Sequence, residues 1–112
     1  MFDEDQQIDL DKKQLSAADI RRKALDLLAR REHSRLELSR KLHKKYSDYQ
    51  IIEDILDQLE IDTLLSDDRF SEEYVKFRKA KGFGPIRISS ELRERGIGEA
   101  KITKYVDTDL KN

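Results

Sequence analysis

The sequence has no cysteine and no tryptophan, and only one proline and four glycines in 112 residues. Without cysteine there is neither a disulfide framework nor a thiolate metal site. His33 and His43 are the only imidazoles, so a transition-metal centre would have to lean on carboxylates. No apolar run approaches the roughly 20 residues that cross a bilayer. The acidic start Phe2-Asp3-Glu4-Asp5 is also unlike the basic start of a secretory signal. These absences predict a soluble cytoplasmic protein with no metal, no cofactor and no membrane contact.

Few helix breakers leave long stretches for regular structure, and the length fits one ordinary domain or two very small ones. Charged residues make up 42% and hydrophobic ones 37%, so apolar side chains must be well placed to offset chain entropy. That balance favours a helical array over a thick core.

The net charge of −1 conceals a pattern along the chain. The blocks 1–11, 12–45, 46–74, 75–104 and 105–112 carry −5, +8, −9, +6 and −1. Such alternation presents basic surfaces to an anionic partner if folding gathers the positive blocks, and otherwise describes solvated helix faces attracting one another.

The sequence repeats itself at a shift of about 50 residues. Leu15-Ser16 returns as Leu65-Ser66, and without a gap Ile20 falls on Phe70, Ala24 on Tyr74, Leu27 on Phe77, Leu36 on Ile86, Leu38 on Ile88, Leu42 on Leu92, Ile52 on Ile102 and Leu56 on Val106. This predicts a flexible acidic segment over 1–14, a first three-helix repeat over 15–64 and a second over 65–112. The fold class is therefore all-α, about six helices in an extended or curved array.

Local signals place the helices. In the first copy, Ile20, Ala24, Leu27 and Leu28 follow helical spacing from about Ser16. Capping boxes at Ser34-Arg35-Leu36-Glu37 and Ser47-Asp48-Tyr49-Gln50 open the second and third helices. In the second copy Asp67 and Asp68 suit a helix N-terminus. Gly84 replaces the capping Ser34, Pro85 follows at the first helical position, and Gly96 ends that helix in a left-handed cap. By their repeat partners, Phe77 and Tyr74 are expected in the core.

Several chemistries find no support. Gly82-Phe83-Gly84 lacks both the third glycine of a dinucleotide fingerprint and the ending of a P-loop. His33 has Phe83 as its repeat partner, so a ring packed at a turn accounts for it, and His43 lies among lysines as a solvated basic edge. The carboxylates Glu53, Asp54, Asp57, Glu60 and Asp62 lack the spacing and glycine of a calcium loop. The serines mostly fall at caps, which leaves no catalytic triad and no basis for an enzyme. What remains is basic material interleaved with Tyr74, Phe77 and Phe83. It suits phosphate backbones and stacked bases, and equally a protein interface offering carboxylates.

The sequence resembles the family of the bacterial regulatory protein RecX, which modulates the RecA recombinase. The resemblance runs from about Ile20 to Ile102 and rests on "RRKALDLLARREHSRLELSRKL" (Arg21 to Leu42), on "LLSDDRFSEEYVKFRKAKGFGPIRISSELRERGI" (Leu64 to Ile97) and on the acidic helix between them. It implies tandem three-helix repeats and a non-enzymatic protein that binds RecA filaments on single-stranded DNA. Groove binding or capping of filament growth would then limit strand exchange, ATP hydrolysis and the co-protease role in the SOS response to DNA damage. Family members usually carry a third repeat, and this sequence shows two, which fits either a short natural member or a truncated chain; a monomer is expected.

Charge and repeat position single out Arg78, Lys81, Arg87, Arg93 and Arg95 in the second copy as partner-binding candidates. Arg31, Arg35 and Lys41 form a similar ridge in the first. The alternative is a helical module that binds nucleic acid directly, without RecA; a net charge near zero opposes strong unaided binding and leaves room for a weak DNA contact.

Overall fold

The computed structural model describes the backbone of residues 4–107 and the side chains of residues 16–107. The first unit comprises α1 (Glu4–Arg30), α2 (Arg35–Lys45) and α3 (Tyr49–Ile61). The second comprises α4 (Asp67–Ala80), α5 (Pro85–Glu94) and α6 (Glu99–Ile102), which runs on into a π-helical turn over Thr103–Asp107. Among the described residues every regular element is a helix, giving the all-α tandem three-helix architecture. The backbone of α1 is helical from Glu4, well before the start at Ser16 that apolar spacing predicts. Residues 1–3, the side chains as far as Leu15, and residues 108–112 lie outside the described residues.

The caps explain where the helices begin. The Ser34 hydroxyl accepts from the Glu37 N–H at 3.1 Å, and the Ser34 N–H donates to Glu37 Oε1 at 3.1 Å, closing the expected capping box. At α3 the cap is Asp48 rather than Ser47: its Oδ1 accepts from the Ile51 N–H at 3.1 Å. A carboxylate one residue further along satisfies the same orphan N–H groups and adds a favourable charge at the positive helix end. Ser66 caps α4, and Gly84 with Pro85 opens α5.

Each unit buries its own core. Ile20, Leu38, Leu42, Ile52 and Leu56 form the centre of the first, and Phe70, Ile88, Leu92, Ile102 and Val106 occupy the corresponding places in the second. Leu65, beyond the boundary drawn at residue 64, is buried in the first cluster.

Phe77 departs from expectation. It is 56% exposed, whereas its repeat partner Leu27 is 7% exposed. Val75 takes the interior place in α4, although its partner Leu25 is exposed in α1. α4 is thus turned about its own axis relative to α1, which carries Phe77 outward and leaves Tyr74 partly buried against the second core. Ile86 is likewise exposed, while its partner Leu36 is partly covered.

The cover on Leu36 is the second unit. Gly96 has φ +80°, and a Cβ there would fall 2.7 Å from Leu36 Cβ. The left-handed conformation favours glycine, and the close approach requires it. Backbone and charge join the units too. The Arg35 N–H donates to Asp67 Oδ1 at 2.8 Å, Arg69 Nε donates to Glu32 Oε1 at 2.8 Å, and an Arg40 guanidinium N–H donates to the Glu94 carbonyl at 3.2 Å.

Candidate functional site

The eight candidate cations separate into groups. Arg78, on α4, meets Glu91, on α5, through two parallel bonds of 2.8 Å each. The Tyr74 hydroxyl donates to Glu91 Oε1 at 3.1 Å, and Arg87 Nε reaches Glu91 Oε2 at 3.4 Å. Bonding to Arg78 outweighs the opposing effect of burial, and with the Tyr74 and Arg87 bonds it holds the Glu91 carboxyl at a pKa of about 2. The guanidinium carbons of Arg78 and Arg87 lie 3.8 and 4.1 Å from the Phe83 ring centroid, within cation–π range. One carboxylate and one ring thus organise two arginines at the α4–α5 junction.

Arg95 ties this cluster to the first unit. Its guanidinium donates to the Glu91 carbonyl at 2.9 Å, lies 4.8 Å from the Tyr74 ring centroid and pairs with Glu37 Oε2 at 3.6 Å. Arg31 pairs with the other oxygen of Glu37 at 3.0 Å. Burial raises the Glu37 pKa, but the Arg31 bonds and the Ser34 N–H outweigh it and hold the carboxyl below its usual range. Lys41 adds a third cation nearby, with Nζ 2.9 Å from His33 Nε2.

His33 itself is 1% exposed, as a ring packed at a turn should be. Its Nδ1 lies 3.1 Å from the Arg31 carbonyl. The Lys41 ammonium can only donate, so Nε2 accepts and Nδ1 carries the proton that bonds to Arg31. Burial lowers the His33 pKa, the bond to the Arg31 carbonyl opposes this, and the charges of Arg31 and Lys41 lower it further. Burial and then the neighbouring Arg31 charge also lower the Lys41 pKa.

The other candidates stand apart. Arg35 faces α3, bonded to Glu53 at 2.8 Å, to Asp57 at 2.7 Å and to Glu60. Those carboxylates overcome the effect of burial and raise its pKa, so Arg35 serves the first unit as an internal counter-ion. Arg93 binds Glu99 with a nearest approach of 2.5 Å. Lys81 lies at the end of α4 with Nζ 4.6 Å from the Phe77 ring centroid. The structure thus gathers Arg78, Arg87 and Arg95 around Glu91, Tyr74 and Phe83 within the second unit, and brings Arg31, Lys41 and Arg95 together around Glu37 and His33 where the units meet, while the side chains of Arg35, Arg93 and Lys81 stand apart from both groups. His43, read as a solvated edge, stacks on Tyr49 at 5.3 Å between ring centroids.

Sequence reasoning missed an apolar cleft. Beside the Arg31–Glu32 corner, the α4 residues Phe70, Tyr74 and Phe77 line a cavity of about 450 Å³ between the two units. The aromatic spacing along α4 was visible, but not its rotation.

The two units correspond to known domains. Residues 21–59 match the family description "RecX, first three-helix domain" and residues 66–105 match "RecX, second three-helix domain". Regulatory protein RecX of Pseudomonas putida is 48% identical over 83 residues, covering 74% of this chain and 58% of that protein. The protein of that name from Pseudomonas fluorescens strain SBW25 is also 48% identical over 83 residues, covering 74% and 54%. The chain spans about half the length of these curated relatives. A crystal structure of regulatory protein RecX superposes with a TM-score of 0.74 at 26% identity, covering 96% of this chain and 53% of that one. RecX from Lactobacillus salivarius gives 0.72 at 23% identity, covering 82% and 60%, which speaks to the fold alone. With both three-helix domains matched in order and 48% identity to these relatives over 83 residues, the chain belongs to the RecX family.

Proposed function

We propose that this chain regulates RecA, binding RecA filaments on single-stranded DNA and limiting strand exchange, ATP hydrolysis and co-protease activity by lying in the filament groove or capping its growth. The observation that carries this reading is the pair of consecutive RecX domains at 48% identity to proteins named as regulatory RecX. The junction geometry supports it. Gly96 packed on Leu36 and Arg95 bridging to Glu37 hold the units in a fixed relation, so both basic groups meet a partner together.

The pairing of the arginines favours a protein partner over bare nucleic acid. Arg78, Arg93 and Arg95 already bond to Glu91, Glu99 and Glu37, and a phosphate would have to displace those carboxylates. A folded surface of paired charges instead suits a partner with its own alternating charges.

The test is the rate of single-stranded-DNA-dependent ATP hydrolysis by RecA, with this protein added from well below to equal concentration. Inhibition at low ratios supports the proposal. Full activity at equal concentration, with the protein shown folded by circular dichroism, overturns it. Tight, steeply salt-dependent binding to bare single-stranded DNA would transfer support to the direct nucleic-acid reading.

A further inference from the structure

The rotation of α4 has an unexplained product: a large aromatic side chain placed in solvent at the mouth of a cleft. Phe70 and Tyr74 stack at 5.4 Å between centroids, and Phe77, one turn further along, extends this aromatic wall. The opposite side is built by Arg31 and Glu32 from the turn between α1 and α2. At about 450 Å³ the cleft falls within the range of ligand-binding pockets and admits a bulky side chain.

The charges around it are unequally satisfied. Arg31 pairs with Glu37, Glu32 with Arg69, and Lys76 with Glu72. Glu73, on the rim, has no ion pair or hydrogen bond among the described residues. The cleft thus offers an apolar wall beside one uncompensated carboxylate.

We infer that this cleft is a docking groove for a protein segment bearing a bulky apolar side chain next to a lysine or arginine. The apolar group enters against Phe70, Tyr74 and Phe77, and the cation meets Glu73. Such a segment satisfies the one unpaired charge among the described residues that line the cleft, whereas an acidic segment would set carboxylate against carboxylate at Glu73. The groove stands between the two units and shares Tyr74 with the Glu91 cluster, but it is tested with a short peptide alone, so the inference does not depend on which surface a RecA filament would touch.

The probe is a capped tetrapeptide with central Leu-Lys, titrated at millimolar concentration into the uniformly ¹⁵N-labelled full chain. Central Leu-Glu and Ala-Lys peptides serve as comparisons. The expected result is shifted amides over 70–77 and at Arg31 with Leu-Lys, and binding weaker by roughly fivefold when the cation is reversed, the size of one exposed ion pair. Phe77→Ser, at an exposed position, should abolish the shifts without unfolding the chain. Glu73→Lys should invert the preference toward Leu-Glu. Equal binding of the Leu-Lys and Leu-Glu peptides, or no binding by either, overturns the inference. So do shifts of the same amides on simple dilution, which would assign the groove to a second copy of the chain. Because no RecA is present, failure here leaves the proposed regulation of RecA standing, and failure of the ATPase test leaves this inference standing.

Discussion

Gly96 and Leu36 touch across the junction of the two units so closely that an added methyl at Gly96 would overlap Leu36 Cβ, at 2.7 Å, and Leu36 Cδ2, at 2.9 Å. Gly96 also closes α5: its N–H donates to the Arg93 carbonyl and the Ile97 N–H to the Leu92 carbonyl, each at 3.0 Å, in the Schellman arrangement. One residue therefore ends a helix and seats one repeat on the other. Gly96→Ala should lower stability by about 1–3 kcal/mol through backbone strain alone, with the overlap adding to it. Pairing it with Leu36→Gly, which removes the Cβ as well as the Cδ2, should recover the overlap part only. Chemical denaturation of the two single variants and the double variant checks this, and simple additivity would mean that the contact is not strained by the methyl.

Leu42 and Leu92 hold equivalent places, both fully buried, but in separate clusters. Each change to alanine should cost about 2–5 kcal/mol. Hydrogen exchange should show where the loss falls: Leu42→Ala loosens α1–α3 first, and Leu92→Ala loosens α4–α6 first. Equal loosening of both units in either variant would mean that the junction couples them into one cooperative core.

This equivalence was legible in the sequence because burial follows helical spacing. The pairs Leu38 with Ile88, Leu42 with Leu92 and Ile52 with Ile102 needed only a shift of the chain against itself. The caps at Ser34, Gly84 and Gly96 were legible for a similar local reason. Phe77 was not, since a turn of α4 about its axis depends on which face meets neighbouring helices, and Val75 and Phe77 differ too little in apolar character to reveal it. The candidate cations were visible as residue types, but not their partners. Arg35 lies in a basic stretch of sequence and nonetheless turns into the acidic face of α3, a contact made over 18 residues with Glu53 and 25 with Glu60.

Glu91 should give the second unit an acid-sensitive stability. Its folded pKa of about 2 lies below the ordinary 4.5, so the fold binds the ionised form preferentially. The contribution is complete above the unfolded value near 4.5 and is lost as pH falls toward about 2. Glu91→Gln should cost on the order of 1–3 kcal/mol at neutral pH and flatten the stability profile across that window. Urea midpoints for both proteins between neutral and acid pH make the comparison, and parallel curves would show that other carboxylates carry the acid dependence.

His33 should act in a different window and through the opposite kind of group. It is a base whose folded pKa is lowered below 6.5, so the unfolded chain takes up a proton that the fold resists. Stability is complete above about 6.5 and declines as pH falls below it, until the folded pKa is reached. Protonating Nε2 would bring two donors together, because Lys41 Nζ lies 2.9 Å away. Glu37 is the nearby charge that favours the proton, and Arg31 and Lys41 oppose it. His33→Phe, copying the residue at position 83, should remove this slope while keeping the ring packed; an unchanged slope would assign it elsewhere.

Charge reversal separates a surface arginine from a junction arginine. Arg87 has a side chain 61% exposed, a long 3.4 Å contact with Glu91 and a place 4.1 Å from the Phe83 ring centroid, so Arg87→Glu should cost about 1–2 kcal/mol of stability. Arg95 is held by Glu37, by the Tyr74 ring and by the Glu91 carbonyl, so Arg95→Glu would place carboxylate against carboxylate at the junction. Its effect on any partner would therefore be mixed with a change in how the units sit. If the α5 surface meets RecA, Arg87→Glu should raise the concentration needed for half-inhibition of RecA ATPase by roughly tenfold, the scale of an interface residue that matters. An unchanged half-inhibition value with the protein still folded removes Arg87 from the interface. Arg95→Glu becomes interpretable only beside Arg95→Gln, which removes the cation from position 95 without setting a second carboxylate against Glu37 and leaves Glu37 its capping bond to Ser34 and its pair with Arg31. Recovered stability with lost inhibition would then place Arg95 in contact with the partner, and recovery of both would confine it to holding the units together.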